Sequence, residues 1–306
     1  MKILFAGSPH SSADILQNLS NADCEVVGVI SQPDKRTKRR GSLEPTEVSV
    51  MAMELEIPLY KPNKLDAQFK QLILEIECDY LIVSAYGKIL PDWLLKHPKI
   101  APINIHFSLL PKYRGASPIQ SVLLNGDTRS GISIMKMTSG LDEGPVYAVN
   151  ELKISVSANK INLEKDLTAL CKKVLMSSLI SISKNEIMPT NQKHKNASYC
   201  NKITKDSGRV DFLQEDSLSI MRKFKAFNQW PGLFFEQNNT LIKIHGMSQA
   251  TDIMMEDNLR NFDFFDKGIL VKTIDSAIVI THLQFPSKKV ITALDAANSY
   301  ADFFTA

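Results

Sequence analysis

The strongest indication of the fold is an alternation, over the first third of the chain, between short apolar runs and segments with helical periodicity. Four runs carry continuous apolar side chains, and three intervening segments repeat apolar residues at three- and four-residue spacing. The apolar runs are Lys2–Ala6, Glu25–Ser31, Asp79–Ala85 and Ile100–His106, and the periodic segments are Ser11–Leu19, Glu47–Glu56 and Lys64–Glu77. Strands that are apolar along their whole length suit a parallel sheet buried on both faces. The pattern therefore predicts an α/β domain with a doubly wound, mainly parallel, Rossmann-like sheet.

The remainder of the chain divides into three parts. Ser130–Thr138 and Pro145–Ile154 are predicted strands near the sheet edge, and Ile161–Lys184 is a predicted long helix. Residues 185–207 are polar and lose this periodicity, which is typical of a linker. Short β-type runs at close spacing then predict a small β-barrel of the OB-like type. We therefore expect a catalytic domain at 1–188, a linker at 189–205 and a C-terminal domain at 206–306.

Composition constrains the function only weakly. Thirty-six Lys and Arg against 33 Asp and Glu give a net charge of +3 in 306 residues, so a site for a polyanion would have to be local. The four cysteines form no CxxC pair, so neither a zinc site nor a redox pair is indicated. The first residues lack a secretory apolar segment, and no run approaches the ~18 apolar residues of a membrane helix. We expect a cytoplasmic, monomeric protein that binds neither a metal nor a membrane.

Three polar residues are candidates for chemistry. Asn104 and His106 are two apart at the end of a predicted strand, so their side chains share one face, and Asp142 lies in a Gly-flanked loop (Gly140–Gly144). In doubly wound folds the carboxyl ends of the strands open into the ligand cleft. An amide can stabilise an oxyanion, an imidazole can carry a proton, and a carboxylate can orient it or hold a water. The set suits acyl transfer to an amine.

The same residues also have structural interpretations. A single His at a strand end is more often structural, and Asn104 and Asp142 could simply form turns. Their spacing alone does not decide between these interpretations. The chain has no GxSxG nucleophile elbow, which favours direct transfer over a covalent intermediate if the site is catalytic.

A longer motif around this strand resembles a known family. The segment Asn104–Gly115, NIHFSLLPKYRG, resembles the fingerprint of the 10-formyltetrahydrofolate-dependent formyltransferases. This resemblance implies that Asn104, His106 and Asp142 are the catalytic set and that 10-formyltetrahydrofolate is the formyl-donating cosubstrate. It also implies a folate site, carried by the fingerprint and by Ser84–Pro91, SAYGKILP. Its residues would be Ser108, Leu109, Leu110, Pro111, Tyr86, Gly87 and Ile89.

A basic segment after the second predicted strand bears on the acceptor. Gln32–Pro45, QPDKRTKRRGSLEP, resembles the loop with which one branch of the family contacts the acceptor arm of initiator tRNA. That branch formylates the methionine carried by this tRNA, and the resemblance extends over nearly the full chain. The implied tRNA-binding residues are Lys35, Arg36, Lys38, Arg39 and Arg40. Their charges could contact phosphates and base edges, although most charge runs are solvated surface loops.

Three other functions are compatible with parts of the sequence. A formyltransferase for another amine, such as a nucleotide amino sugar or glycinamide ribonucleotide, would share the catalytic set, but the basic loop and C-terminal domain argue against it. A dinucleotide-dependent oxidoreductase is disfavoured because Ala6-Gly7-Ser8-Pro9 lacks the GxGxxG turn. A non-catalytic RNA-binding module is disfavoured, because RNA binding does not require an amide, an imidazole and a carboxylate to converge at one point.

Overall fold

The computed structural model describes residues 1–36, 41–250 and 261–305. The chain forms two compact units. The first comprises Met1–Ile119, Thr128–Val156 and Asn162–Asn201, and the second comprises Gln120–Asp127, Ser157–Ile161 and Lys202–Ala306. The change from one unit to the other after Asn201 falls inside the segment predicted as a linker.

The first unit contains eleven strands among its described residues. They are β1 (Lys2–Gly7), β2 (Glu25–Ile30), β3 (Lys35–Arg36), β4 (Leu43–Glu44), β5 (Leu59–Tyr60), β6 (Tyr80–Ser84), β7 (Ala101–His106), β8 (Arg114–Gly115), β9 (Arg129–Lys136), β10 (Val146–Lys153) and β11 (Tyr199–Cys200). Seven of them form one sheet in the order β10-β9-β7-β6-β1-β2-β5. The five strands from β7 to β5 are parallel, while β9 and β10 are antiparallel to their neighbours. Two short pairs, β3 with β4 and β8 with β11, lie outside this sheet.

Helices form in each segment that has helical periodicity. They are α1 (His10–Ser20), α2 (Glu47–Glu54), α3 (Ala67–Leu74), α4 (Asp92–Leu95), α5 (Pro118–Asn125), α6 (Lys160–Ser183), α7 (Ser217–Ala226) and α8 (Ala293–Thr305). The two short helices α4 and α5 were not predicted. Side chains that alternate along β6 show how two of them cover the sheet. Leu81 and Val83 pack in a cluster with Phe69 and Ile73 of α3, whereas the hydroxyl of Tyr80 donates to the Leu179 carbonyl oxygen of α6.

The strand order creates a crevice. The chain leaves β1 toward β2 on one side, and later returns to place β6 on the other side of β1. In such a sheet, ligands bind outside the carboxyl ends of the strands where the winding reverses. The backbones of β1 and β6 approach each other closely at these ends. A Cβ added to Gly7 would lie only 2.9 Å from the Ser84 carbonyl oxygen. The end of β6 therefore adjoins the end of β1 at this crevice.

The second unit is built around an antiparallel sheet. Its strands are β12 (Leu233–Gln237), β13 (Thr240–Gln249), β14 (Phe262–Phe265), β15 (Gly268–Lys272), β16 (Ala277–Gln284) and β17 (Ile291–Thr292). They pair in the order β12-β13-β16-β15-β14, with β17 on β16. Phe212, Phe235 and Phe262 pack edge-on or stacked within its core, and Phe304 of α8 packs against Phe262. The predicted fold class, a mainly parallel α/β sheet followed by a smaller β-rich domain, is confirmed.

Candidate active site

The carboxyl end of β7 carries two of the candidate side chains on one face. Asn104 lies opposite Val83 of β6 on one side and Met135 of β9 on the other, and His106 lies opposite Ser133. The imidazole is buried, whereas Asn104 is half-buried. The alternation of the strand predicts this shared face, and β7 is held between two neighbours, so its backbone is a rigid support for both groups.

Asp142 lies beside both of them. Its Oδ1 accepts a hydrogen bond from Asn104 Nδ2 at 3.1 Å, and its Oδ2 lies 3.6 Å from His106 Nδ1. The backbone N–H of Gly115 donates to Oδ2 at 2.9 Å. The structure thus brings together the three residues that were predicted from the sequence as candidates for chemistry.

The imidazole of His106 is oriented by a backbone group. Its Nε2 lies 2.8 Å from the Tyr113 carbonyl oxygen, which can only accept, so Nε2 carries a proton. In the neutral ring, the proton-accepting nitrogen is then Nδ1, the atom that faces Asp142. The ring is therefore oriented by the Tyr113 carbonyl as well as by the carboxylate, which was the only orienting group predicted from the sequence.

The loop that carries Asp142 has an additional support. Asp142 has a positive φ of 48°, an uncommon conformation for a non-glycine residue. Gln192 Nε2 donates to the carbonyl oxygens of Asp142 and Gly144, at 2.9 and 2.7 Å. The Gln192 side-chain oxygen accepts two hydrogen bonds from the guanidinium of Arg114. Neither residue was predicted to belong to the site; the only sequence signal was the Arg in the fingerprint, since Gln192 lies in the predicted linker.

The rest of the fingerprint forms a tight turn beside β7. Ser108 is fully buried, and its hydroxyl donates to the Lys112 carbonyl oxygen at 2.6 Å. Ser133 of β9 accepts from the Leu110 N–H and donates to the Ser108 carbonyl oxygen. The peptide bond between Leu110 and Pro111 is cis. The Ser108 side chain therefore stabilises the turn, while Leu109 and Pro111 are partly exposed.

Comparisons with known proteins identify the family. The model of the family described as Formyl transferase matches residues 1–179, and that described as Formyl transferase, C-terminal domain, matches residues 202–301. The methionyl-tRNA formyltransferase of Caldicellulosiruptor saccharolyticus is 36% identical over an alignment of 309 positions, which covers 98% of this chain and 97% of that protein. The methionyl-tRNA formyltransferase of Thermotoga maritima is 36% identical over 299 residues, which are 97% and 95% of the two chains.

The chain belongs to the methionyl-tRNA formyltransferase family.

Solved structures of formyltransferases share its fold. The N-formyltransferase from Helicobacter canadensis, in complex with folinic acid and dTDP-3-aminofucose, superposes with a TM-score of 0.67 at 18% identity, over 92% of this chain and 98% of that one. HypX from Aquifex aeolicus, in complex with tetrahydrofolic acid, gives a TM-score of 0.63 at 17% identity, over 97% of this chain and 47% of that one. At this identity the likeness shows the fold alone.

The predicted folate-site residues of the loop after β6 differ in their exposure. Tyr86 is buried within the apolar cluster that includes Phe69 and Ile73, and burial raises the pKa of its phenol to about 12. Among the described residues, its hydroxyl has no hydrogen-bond partner. Gly87 follows with a φ of +78°, and the Ile89 side chain is 91% exposed. Of the three predicted residues, Gly87 and Ile89 are therefore exposed on the loop, whereas the Tyr86 side chain packs in the core beneath it.

The basic segment begins as a short hairpin. Lys35 and Arg36 of β3 are exposed and pair with Glu44 and Leu43 of β4. Lys38, Arg39 and Arg40 lie outside the described residues. At the base of the hairpin, both carboxylate oxygens of Asp34 accept from Lys61 Nζ at 2.8 Å. Gln32 Nε2 donates to the Tyr86 carbonyl oxygen at 2.8 Å, which connects the start of this segment to the loop after β6.

The described residues contain neither a candidate metal site nor a candidate membrane-spanning helix. In the ranges 1–36, 41–250 and 261–305, no group of three or more His, Cys, Asp and Glu side chains could hold a metal ion. None of the helices within those ranges combines the length and the apolar character needed to cross a membrane.

Proposed function

We propose that this protein transfers the formyl group of 10-formyltetrahydrofolate to the amino group of methionyl-initiator tRNA, with Asn104, His106 and Asp142 as the catalytic residues. The hydrogen bond between Asn104 and Asp142, with His106 Nδ1 3.6 Å from the same carboxylate, carries this assignment. The names of relatives at 34–38% identity support the acceptor and, through it, a role in translation initiation. Such a role also supports a cytoplasmic location, and we propose that the protein acts as a monomer.

In the proposed reaction, the methionyl amine attacks the formyl carbon directly. A carbon–nitrogen bond forms to the methionyl nitrogen, and the bond from the formyl carbon to N10 of the folate breaks. The intermediate carries a negative oxygen, which needs a donor within hydrogen-bond reach. Asn104 Nδ2 has two hydrogens, of which one is used by Asp142. The second hydrogen is the donor that we assign to the oxyanion.

His106 is assigned the proton transfer. The attacking amine loses a proton, and N10 gains one as it leaves, so one group can serve both events. Nδ1 is the nitrogen able to accept that proton, because Nε2 donates to the Tyr113 carbonyl oxygen. The Asp142 carboxylate faces Nδ1, where it stabilises a protonated ring and orients it or a water next to it.

We assign the folate site to residues around this centre. The fingerprint turn contributes Ser108, Leu109, Leu110 and Pro111, with Ser108 acting through the turn that its hydroxyl stabilises. The loop after β6 contributes Tyr86, Gly87 and Ile89, of which Gly87 and Ile89 present exposed atoms. The assigned residues carry mostly apolar side chains, and binding sites for small molecules are generally lined by apolar side chains with a few polar groups.

We assign contact with the tRNA to the basic segment. Lys35 and Arg36 are exposed on the hairpin, and Lys38, Arg39 and Arg40 follow them in sequence. A cluster of cations can neutralise several phosphates of the acceptor arm.

A direct assay separates this function from formylation of another amine. The protein is incubated with 10-formyltetrahydrofolate and one of three acceptors: methionyl-initiator tRNA, methionyl-elongator tRNA, or a nucleotide amino sugar. We expect rapid formylation of the initiator tRNA only. Preference for the sugar would refute the proposed acceptor, and equal rates on the two tRNAs would refute the restriction to the initiator.

Variants test the catalytic assignment in the same assay. His106→Ala and Asn104→Ala should each lower kcat/KM by about 10²–10⁴, the usual span for general acid–base and oxyanion groups. Circular dichroism and a melting curve establish that each variant is folded. Folded variants with nearly wild-type rates would show that these side chains do not carry the reaction.

A further inference from the structure

Arg114 is a buried cation with an unusual set of partners. Its side chain is fully buried, and among the described residues no carboxylate pairs with its guanidinium. Nε and one terminal nitrogen donate to Gln192 Oε1 at 3.0 and 2.8 Å, and the other terminal nitrogen lies 3.3 Å from both Tyr199 Oη and His194 Nδ1. Burying a charge is costly unless it is well hydrogen-bonded. A neutral amide is thus the main partner of a buried charge beside the site.

The guanidinium fixes which way the Gln192 amide points. With Oε1 toward Arg114, the amide nitrogen faces the carbonyl oxygens of Asp142 and Gly144. The reverse orientation would place donors against the guanidinium donors and an oxygen against two oxygens. Arg114 therefore forces Gln192 to present both amide hydrogens to the backbone of the Asp142 loop.

The loop needs this support, because Asp142 has an uncommon backbone conformation. The hairpin of β9 and β10 brings the loop to β7, since Lys136, the last residue of β9, lies opposite Ile103 and Met135 lies opposite Asn104. Within the loop, Asp142 contacts Asn104 with a φ of +48°. A non-glycine residue in this conformation must be held by its surroundings. The two hydrogen bonds from Gln192 hold its backbone, and those from Asn104 and Gly115 hold its carboxylate.

We infer that Arg114 and Gln192 are positioning residues that hold the Asp142 carboxylate at the reaction centre. They act through the backbone of the loop and do not touch the substrates. This inference rests on the catalytic role proposed for Asp142. It predicts that the orientation of the Gln192 amide, and not merely the filling of its site, controls the rate of the chemical step.

Gln192→Glu separates these two possibilities. The carboxylate has nearly the same shape and gives the Arg114 guanidinium a counter-charge, so the fold should melt at the same or a higher temperature. It offers no donor to the Asp142 loop and places an oxygen against two carbonyl oxygens. We expect kcat to fall by about 10- to 100-fold, equivalent to about 1.4–2.7 kcal/mol, with KM for the folate and for methionyl-tRNA changed less than about twofold.

The matched control is Gln17→Glu, the same chemical change on an exposed position of α1 in the same unit, which should leave kcat unchanged. A purely structural role for Gln192 predicts that kcat follows the melting temperature and stays near wild type. That outcome in the Gln192→Glu protein would overturn the inference.

A double-mutant cycle tests the route of the effect. If Gln192 acts by placing Asp142, then Gln192→Glu should cost little once Asp142 is already Asn, and the two effects will be strongly non-additive. Additive losses would mean that Gln192 acts on something else, and the inference would be wrong. If Asp142→Asn alone is fully active, the catalytic assignment itself fails, which is a different result from an active Gln192→Glu beside an inactive Asp142→Asn.

Discussion

Replacing Asp142 with Asn is the sharpest perturbation of the proposed site, because it changes one atom and one charge. Each carboxylate oxygen has a different donor, Asn104 Nδ2 on Oδ1 and the Gly115 N–H on Oδ2. An amide offers one oxygen and one NH₂ group. Whichever way it turns, one donor of the protein faces another donor, and His106 loses the negative charge beside Nδ1.

The size of the effect follows from these contacts. A donor left without an acceptor in a buried site costs about 1–3 kcal/mol, and a hydrogen bond to a charged group contributes about 1.5–3 kcal/mol. Together they destabilise the organised site by about 2.5–6 kcal/mol. At 1.36 kcal/mol per factor of ten, the rate constant of the chemical step should fall by about 10²–10⁴.

The assay is single-turnover formylation of methionyl-initiator tRNA at saturating 10-formyltetrahydrofolate, which isolates the chemical step from product release. Glu143→Gln is the matched control, since it makes the same change at the next position, where the side chain is exposed. The control should react at the wild-type rate. If Asp142→Asn were also within about threefold of wild type while folded, the carboxylate would have no part in the reaction.

The structure supports three further predictions. Gly115→Ala should nearly abolish activity and lower the melting temperature, because the added Cβ would lie 2.3 Å from the Cys200 carbonyl oxygen at a φ of +119°. A formylation rate and a melting temperature equal to those of wild type would contradict this. Replacing both Lys35 and Arg36 with Ala should raise KM for tRNA but not for the folate. The slope of log Kd against log salt should fall by about 0.7–0.9 for each phosphate that is no longer neutralised. An unchanged slope in filter binding would show that these two cations do not contact the tRNA. The backbone N–H of Ser217, at the start of α7, donates to Asp275 and holds the pKa of that carboxyl below its ordinary value of 3.8. The ionised carboxylate therefore stabilises the fold above pH 3.8, and this stabilisation is lost as the pH falls through the lower pKa of the folded state. Asp275→Asn should therefore melt at a lower temperature than wild type at pH 7, and the difference in melting temperature should shrink below about pH 4. A difference that does not change with pH would show that the charge of Asp275 is not involved.

Local sequence patterns were sufficient to predict the main strands and the position of the catalytic candidates. The run at 101–106 is apolar and ends in two polar residues two apart, so period-two alternation places Asn104 and His106 on one face of the strand. Glycines on both sides of Asp142 indicate a loop, although they do not indicate where the loop goes. The contact between Asp142 and Asn104 joins residues 38 apart, and only the resemblance to a family associated them.

The contacts that position the site were not predictable, because they leave no periodic pattern. Strands β8 and β11 have two residues each, too few for alternation to be recognised, and the residues they pair are 85 apart. The segment that includes Gln192 is polar and aperiodic, which is typical of a linker, yet Gln192 itself is 9% exposed. Similarly, Tyr86 was predicted from the loop motif, which does not reveal that its ring points into the apolar core.

These missed contacts converge on three consecutive residues. The Tyr113 carbonyl oxygen fixes His106, the Arg114 guanidinium fixes the backbone of Asp142 through Gln192, and the Gly115 N–H fixes the Asp142 carboxylate. One short segment thus sets the position of both titratable groups of the site.

That segment is itself held by residues 198–200 of the predicted linker. Ser198 accepts from the N–H of Tyr113 through its hydroxyl and from that of Arg114 through its carbonyl, and the Cys200 carbonyl accepts from the Ala116 N–H. A change in the path of residues 198–200 would move residues 113–115, and with them the carboxylate and the imidazole relative to each other. The end of the first unit therefore helps to position the proposed active site. Lengthening or cutting the chain there should lower the rate of formyl transfer, even where these residues do not contact a substrate.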